Sequence, residues 1–160
     1  MEEHARLIKE AQRFFTAADH MTYMTYPVVN DPKLLVTISQ NLFNALMHSA
    51  EALLYFERLY KRIPPYSTNF MDKIEMLKNK CADRYNLPRE AIQALVDLRE
   101  ILEEHQTSAI EIRKNDKFLI FNQDYQKMRA LNLIKVKEFL HHSRVFIEKI
   151  ERIVGRDVRG

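Results

Sequence analysis

Apolar residues recur every three or four positions along most of the chain, and five segments carry that helical period. The first runs from about Glu3 to Thr22, where Leu7, Ile8, Ala11, Phe14, Phe15 and Ala18 make one stripe. Tyr26-Pro27 is expected to end it, because the residue before a proline is pushed out of the α region. Val28 to Asn30 would then be a short link. A second helix opens with Asp31 as N-cap and Pro32 at the first helical position. It meets no breaker until Pro64-Pro65, so it spans about 30 residues, or roughly 45 Å. It carries two stripes, one through Leu35, Ile38, Leu42, Leu46, Ser49, Leu53, Phe56 and Tyr60, the other through Val36, Phe43, Met47, Ala50 and Leu54. A helix apolar on two sides is either central in its own bundle or shared with a second chain, and both are expected here.

A third helix is expected from about Asn69 to Tyr85, with Phe70, Ile74, Leu77 and Cys81 inward, and Pro88 opens a fourth with Ala91, Leu95, Leu98 and Leu102 as its stripe. The helical period then fails. Ile110, Ile112 and Phe118 to Phe121 read as two short strands around Asn115-Asp116, a turn signal for a hairpin. The last helix, about Asn132 to Val154, turns Val136, Phe139, Leu140, Ser143, Ile147, Ile150 and Val154 inward. The pattern predicts an all-α fold: an up-and-down bundle of four to five helices with a short β-hairpin insertion before the last helix. One domain is expected over residues 1–160, with the hairpin at about 108–122 and the last few residues a flexible tail.

At 160 residues, folding can bury about 70% of the unfolded chain's surface, so no metal or disulfide is needed for a core. The only two glycines are Gly155 and Gly160. Their absence from Met1 to Val154 excludes the Walker A phosphate loop, the dinucleotide fingerprint and the nucleophile elbow, each of which needs a Gly-rich turn. The single cysteine, Cys81, excludes a disulfide framework and points to a reducing compartment. Met1-Glu2-Glu3-His4 has no signal-peptide character. The densest apolar run, Ala52 to Phe56, falls far short of the ~20 residues that span a bilayer. A soluble, cytoplasmic protein is expected, forming a homodimer through helix two or the last helix. The net charge of +3 is too small to imply a polyanion partner by itself.

Glu138-x-x-His141 has the spacing of di-iron four-helix proteins, and His48-x-x-Glu51 is its reverse. On a helical wheel both pairs, and His20, lie opposite their stripes, as solvated surface residues do. No metal and no cofactor is therefore expected. Cys81, between Leu77 and Tyr85 on an apolar stripe, reads as a small core hydrophobe with a raised pKa. Around the hairpin, Arg113, Lys114, Lys117, Lys127 and Arg129 interleave with Phe118, Phe121 and Tyr125, the mixture of cations and rings that a single-stranded nucleic acid requires. Glu111, Asp116 and Asp124 dilute that charge, and the aromatics would equally serve to fix the hairpin on the bundle. Arg58, Lys61 and Arg62, at the end of helix two, suit compensation of the helix dipole.

The stretch Asn41-Leu-Phe-Asn-Ala-Leu-Met-His-Ser-Ala-Glu-Ala-Leu-Leu54 resembles the second helix of the HEPN superfamily of small helical bundles. The superfamily's RNases carry Arg-x(4–6)-His late in the bundle, and Arg99-Glu-Ile-Leu-Glu-Glu-His105 has that form. The residue after the arginine is Glu100, where active members often have Asn, Asp or His. The resemblance covers about Pro32 to Phe56 and Leu87 to Val154, and it implies binding of RNA or a nucleotide, with metal-independent cleavage by Arg99 and His105. In such a reaction a histidine takes the 2′-hydroxyl proton and a guanidinium stabilises the phosphorane. The wheel places Arg99 and His105 on opposite flanks of their stripe. They would converge only if the helix ended before His105, or across the two-fold axis of a dimer. The plainer reading pairs Arg99 with Glu103 at i+4 and leaves His105 near the helix C-terminus. The competing class is a non-catalytic homodimeric interaction module that docks a protein partner, for which an exposed apolar patch is the mark.

Overall fold

The computed structural model describes residues 2–123 and 126–158. Among these, five helices and a small three-stranded antiparallel sheet make an all-α bundle with a β insertion before the last helix. Helix α1 covers Glu3–His20, but the backbone does not leave the helix at the proline. A π turn over Met21–Thr25 widens it, and one more α turn, Tyr26–Val29, follows. The Tyr26 amide donates five residues back to Met21, so Pro27, which has no N–H and whose ring would crowd an ordinary turn, sits at the start of a fresh one. Asn30, left-handed at φ 53°, ends the helix instead. The expected link at Val28 and Val29 is thus helical.

Asp31 accepts the Lys33 backbone N–H at 3.0 Å, and helix α2 runs over Leu34–Leu59, about 39 Å. Most of both stripes is buried within the single chain: Leu35, Ile38, Leu42, Leu46, Leu53 and Leu54 have no exposure at all, while Phe43 and Met47 are half-buried. Helix α1 lies along it on one side, with the helices Arg89–Thr107 and Leu133–Val158 on others. Thr37 and Gln40 are exposed near its start, and its C-terminal end surfaces at Tyr55 and Leu59, with Tyr60 just beyond. Helix α3 starts at Phe70–Met76, capped by the Asn69 side chain, which accepts the Met71 and Asp72 amides. It passes through a second π turn, Leu77–Cys81, to end at Ala82–Tyr85, with Asn86 left-handed. Phe70, Ile74, Leu77 and Cys81 are buried as their spacing predicts.

Helix α4, Arg89–Thr107, begins directly after Pro88. It leads into β1 (Ile110–Lys114), β2 (Lys117–Phe121) and β3 (Met128–Asn132), in the spatial order β1-β2-β3. The Asn115-Asp116 hairpin forms as expected, whereas β3 is an additional strand where only a connection was anticipated. Helix α5, Leu133–Val158, follows at once, with the Asn132 side chain accepting the Lys135 amide at 2.8 Å. It continues to Val158, one turn past the expected end at Val154; residues 159–160 lie outside the described part. No helix among the described residues is long and apolar enough to cross a membrane.

Strand alternation gives the sheet two faces of different character. Phe118, Ile120 and Leu131 turn to the bundle and are buried. Glu111, Arg113 and Arg129 share that inner face. The outer face carries Ile110, Phe121 and Met128 in one cross-strand row, Ile112, Leu119 and Ala130 in the next, and Lys114, Lys117 and Asn132 in the last.

Candidate functional site

Arg99 and His105 stand on one unbroken helix, since α4 continues to Thr107. Six residues at 100° each leave them about 120° apart around the axis and about 9 Å apart along it. The route to convergence by an early helix end is therefore closed. Each side chain is occupied separately. The Arg99 Nε donates to Glu103 at 2.9 Å, and its guanidinium lies 4.3 Å from the centre of the Phe70 ring. The imidazole of His105 pairs through Nδ1 with Glu111 on β1 and sits beside Phe118. The i+4 partner of Arg99 was readable from spacing; the partner of His105 was not, because it lies across the chain reversal.

The six residues anticipated for nucleic-acid contact are divided by the pleat. Arg113 lies on the inner face and reaches the Asp31 carboxylate at 3.0–3.1 Å. Asp31 is held below the ordinary carboxylate range by the Lys33 backbone N–H first and by this guanidinium second. Arg129 donates from Nε to Glu104 at 2.6 Å and also reaches Glu100 at 3.3 Å, which raises its already high pKa. Phe118 is not offered for stacking: it is 4% exposed and plugs the sheet onto the bundle. Lys114 and Lys117 face outward as a cross-strand pair, and no ion pair joins either to the described residues. Lys127 is exposed in the turn before β3. Tyr125 and Asp124 lie outside the described residues. These positions were chosen as neighbours in sequence, but a period of two sends alternate residues to opposite faces.

Two arrangements carried no sequence signal. The first is the outer face of the sheet, where Met128 is 54% exposed and Ile110 and Ile112 more than 40%. Its apolar character arises only when three strands are laid side by side. The second is Glu57, an acid with no exposure on α2, whose Oε2 receives Arg84 at 3.2 Å and Arg62 at 3.5 Å. Its Oε1 has no partner among the described residues. Arg62 is thus a tie between the α2 C-terminus and this buried carboxylate as much as a dipole cation. Cys81 is fully buried, and burial pushes its thiol up to about 12.

Glu138, His141 and His20 are exposed, and His48 pairs through Nδ1 with the Asn44 carbonyl at 2.7 Å. Among the described residues no three His, Cys, Asp or Glu side chains are grouped to hold a metal ion. No protein-family model matches the chain, and no characterised protein matches it in sequence.

Proposed function

We propose that this chain is a non-catalytic interaction module that docks a partner protein on the outer face of its sheet. The observation that supports this reading is the contiguous apolar surface of Ile110, Ile112, Leu119, Phe121, Met128 and Ala130. Three strands of five residues present about 14 by 17 Å in plan, of which the two apolar rows make up about two-thirds, or about 160 Å². Water-facing sheet surfaces are ordinarily polar, and an apolar one marks an interaction site. Its size suits a transient contact rather than an obligate one. Lys114 and Lys117 border one end, so the partner is an apolar segment flanked by carboxylates.

A HEPN-like ribonuclease is the less supported reading. Arg99 and His105 would each have to leave a carboxylate and meet across two chains. The deciding experiment places a photo-crosslinking side chain at Leu119 or Met128, with exposed Lys9 as the control position. Crosslinks to an acidic, apolar segment from the sheet positions alone, lost in Lys114→Glu/Lys117→Glu, are expected. Equal crosslinking from Lys9 would overturn the docking reading. Cleavage of a mixed RNA pool in EDTA that disappears in His105→Ala would replace it with the ribonuclease.

A further inference from the structure

We propose that the free edge of β1 pairs antiparallel with β1 of a second copy, centred on Ile112, to join two sheets into one of six strands. This goes beyond the docking reading, because it concerns the strand edge and names its occupant. Strand β1 is bonded on one side only, and four of its five residues are exposed. Its register with β2 is continuous from Ile110 to Lys114 and holds no proline, a residue that commonly blocks an edge; the one irregularity lies at its start, where the Ala109 N–H bonds the Phe121 carbonyl opposite Ile110.

The two-residue turn makes Lys114 and Lys117 a hydrogen-bonded pair. Alternation then makes Ile112 and Ile110 hydrogen-bonded to β2 as well, and turns the backbone N–H and C=O groups of Glu111 and Arg113 to the open edge. A two-fold pairing must match open groups with open groups, so it can centre only on Glu111, Ile112 or Arg113. Centring on Glu111 sets two carboxylates opposite each other, and centring on Arg113 sets two guanidiniums opposite each other. Centring on Ile112 places Glu111 opposite the partner's Arg113, and Arg113 opposite the partner's Glu111. Only this register has opposite charges at both hydrogen-bonded pairs.

The side chains are already held for that role. Glu111 is bound through Oε2 to His105, which leaves its other oxygen available, and Arg113 uses Nη1 for both Asp31 oxygens, which leaves Nη2. On the outer face Ile112 meets Ile112 of the partner subunit in the close, non-hydrogen-bonded type of pair. Lys114 lays its stem along the partner's Ile110. The two apolar faces then lie side by side in one sheet, together about 320 Å² in plan, so the pairing doubles what is offered to the docked segment.

Sedimentation of the full chain from about 1 µM to about 1 mM covers the range in which so small an interface associates. Glu111→Arg and Arg113→Glu each put like charges at both pairs and are expected to weaken self-association about tenfold or more. An equimolar mixture of the two restores opposite charges and is expected to associate as the unmodified chain does. In the otherwise unmodified chain, Ile112→Cys is expected to crosslink under mild oxidation and Ile110→Cys is not, which tests the register even where a charge variant fails to fold. A chain monomeric throughout would overturn the proposal, as would a dimer indifferent to both substitutions or a crosslink at 110 in preference to 112. Crosslinking from Leu119 and Met128 reads the outer face, which each copy carries by itself, so the docking reading stands or falls on that result and the edge pairing on these.

Discussion

Glu57 and Cys81 show how burial decides chemistry at the scale of one side chain. Glu57 has no exposure, yet Arg62 and Arg84, which bind it, are each about two-fifths exposed. Removing a partner from a fully buried pair costs about 3–5 kcal/mol, because a charge is left stranded in the interior. Here the stranded groups would be arginines that can turn to water. Glu57→Gln is therefore expected to cost less, about 1–2 kcal/mol in urea denaturation, the scale of lost charge-assisted hydrogen bonds. A loss above about 3 kcal/mol would mean that the arginines do not rehydrate. For Cys81, desolvation comes first and the nearby Glu57 charge second in raising the thiol from 9.0 to about 12. The folded value lies above the unfolded one, so its contribution to stability is complete below pH 9 and is lost as pH rises from 9 to about 12. At pH 8 a thiol reagent is expected to modify Cys81 only at the rate of unfolding. Fast labelling of the native protein would contradict its burial.

At the scale of elements, a chain almost without glycine makes its left-handed turns with other residues. Asn30, Asn86 and Asn115 have φ of 53–57°, and Lys61, just beyond α2, has 56°. Asparagine tolerates this conformation; lysine bears its strain, which costs about 1–2 kcal/mol. Lys61→Gly is expected to raise stability by up to about 1 kcal/mol, and Asn86→Ala to lower it by about as much, both read from thermal or urea unfolding. The helices were legible because burial imposes a 3.6-residue period, and Leu35 to Phe56 or Phe70 to Cys81 display it directly. The π turns were not, since Leu77 and Cys81 stay four apart and both buried whether the turn is α or π. Strand β3 was hidden because Met128-Arg-Ala-Leu-Asn132 has no β-branched residue and runs straight into a helix. Within the candidate site, Arg99–Glu103 followed from spacing on one helix. His105–Glu111, Arg113–Asp31 and the buried Glu57 needed the packing of different elements, for which one sequence holds no periodic signal.

At the scale of the molecule, the sheet is attached to the bundle by two kinds of contact. Phe118, Ile120 and Leu131 supply the apolar part, and His105–Glu111, Arg113–Asp31 and Arg129 with Glu100 and Glu104 surround it. The ionic ties are half-exposed, so each contributes little by itself. Asp31 gives one of them a pH dependence. Its folded pKa lies below the ordinary 3.8, so the tie is complete above that value and is lost as pH falls through the lower, folded one. Exchange of the β1 amides is expected to quicken in that acid range while that of α2 does not. The apolar part carries more. Deleting a buried phenylalanine ring costs about 3–5 kcal/mol, and Phe118 is the only ring on the sheet's inner face among the described residues. If the sheet opens as its own unit, as small peripheral motifs do, Phe118→Ala will accelerate hydrogen exchange throughout β1, β2 and β3 and leave the α2 amides at their original rates. If sheet and bundle are one cooperative unit, the same substitution will speed both together. In the first case the docking face can be removed without harm to the bundle, and its loss should then abolish crosslinking from Leu119 and Met128 in a folded protein.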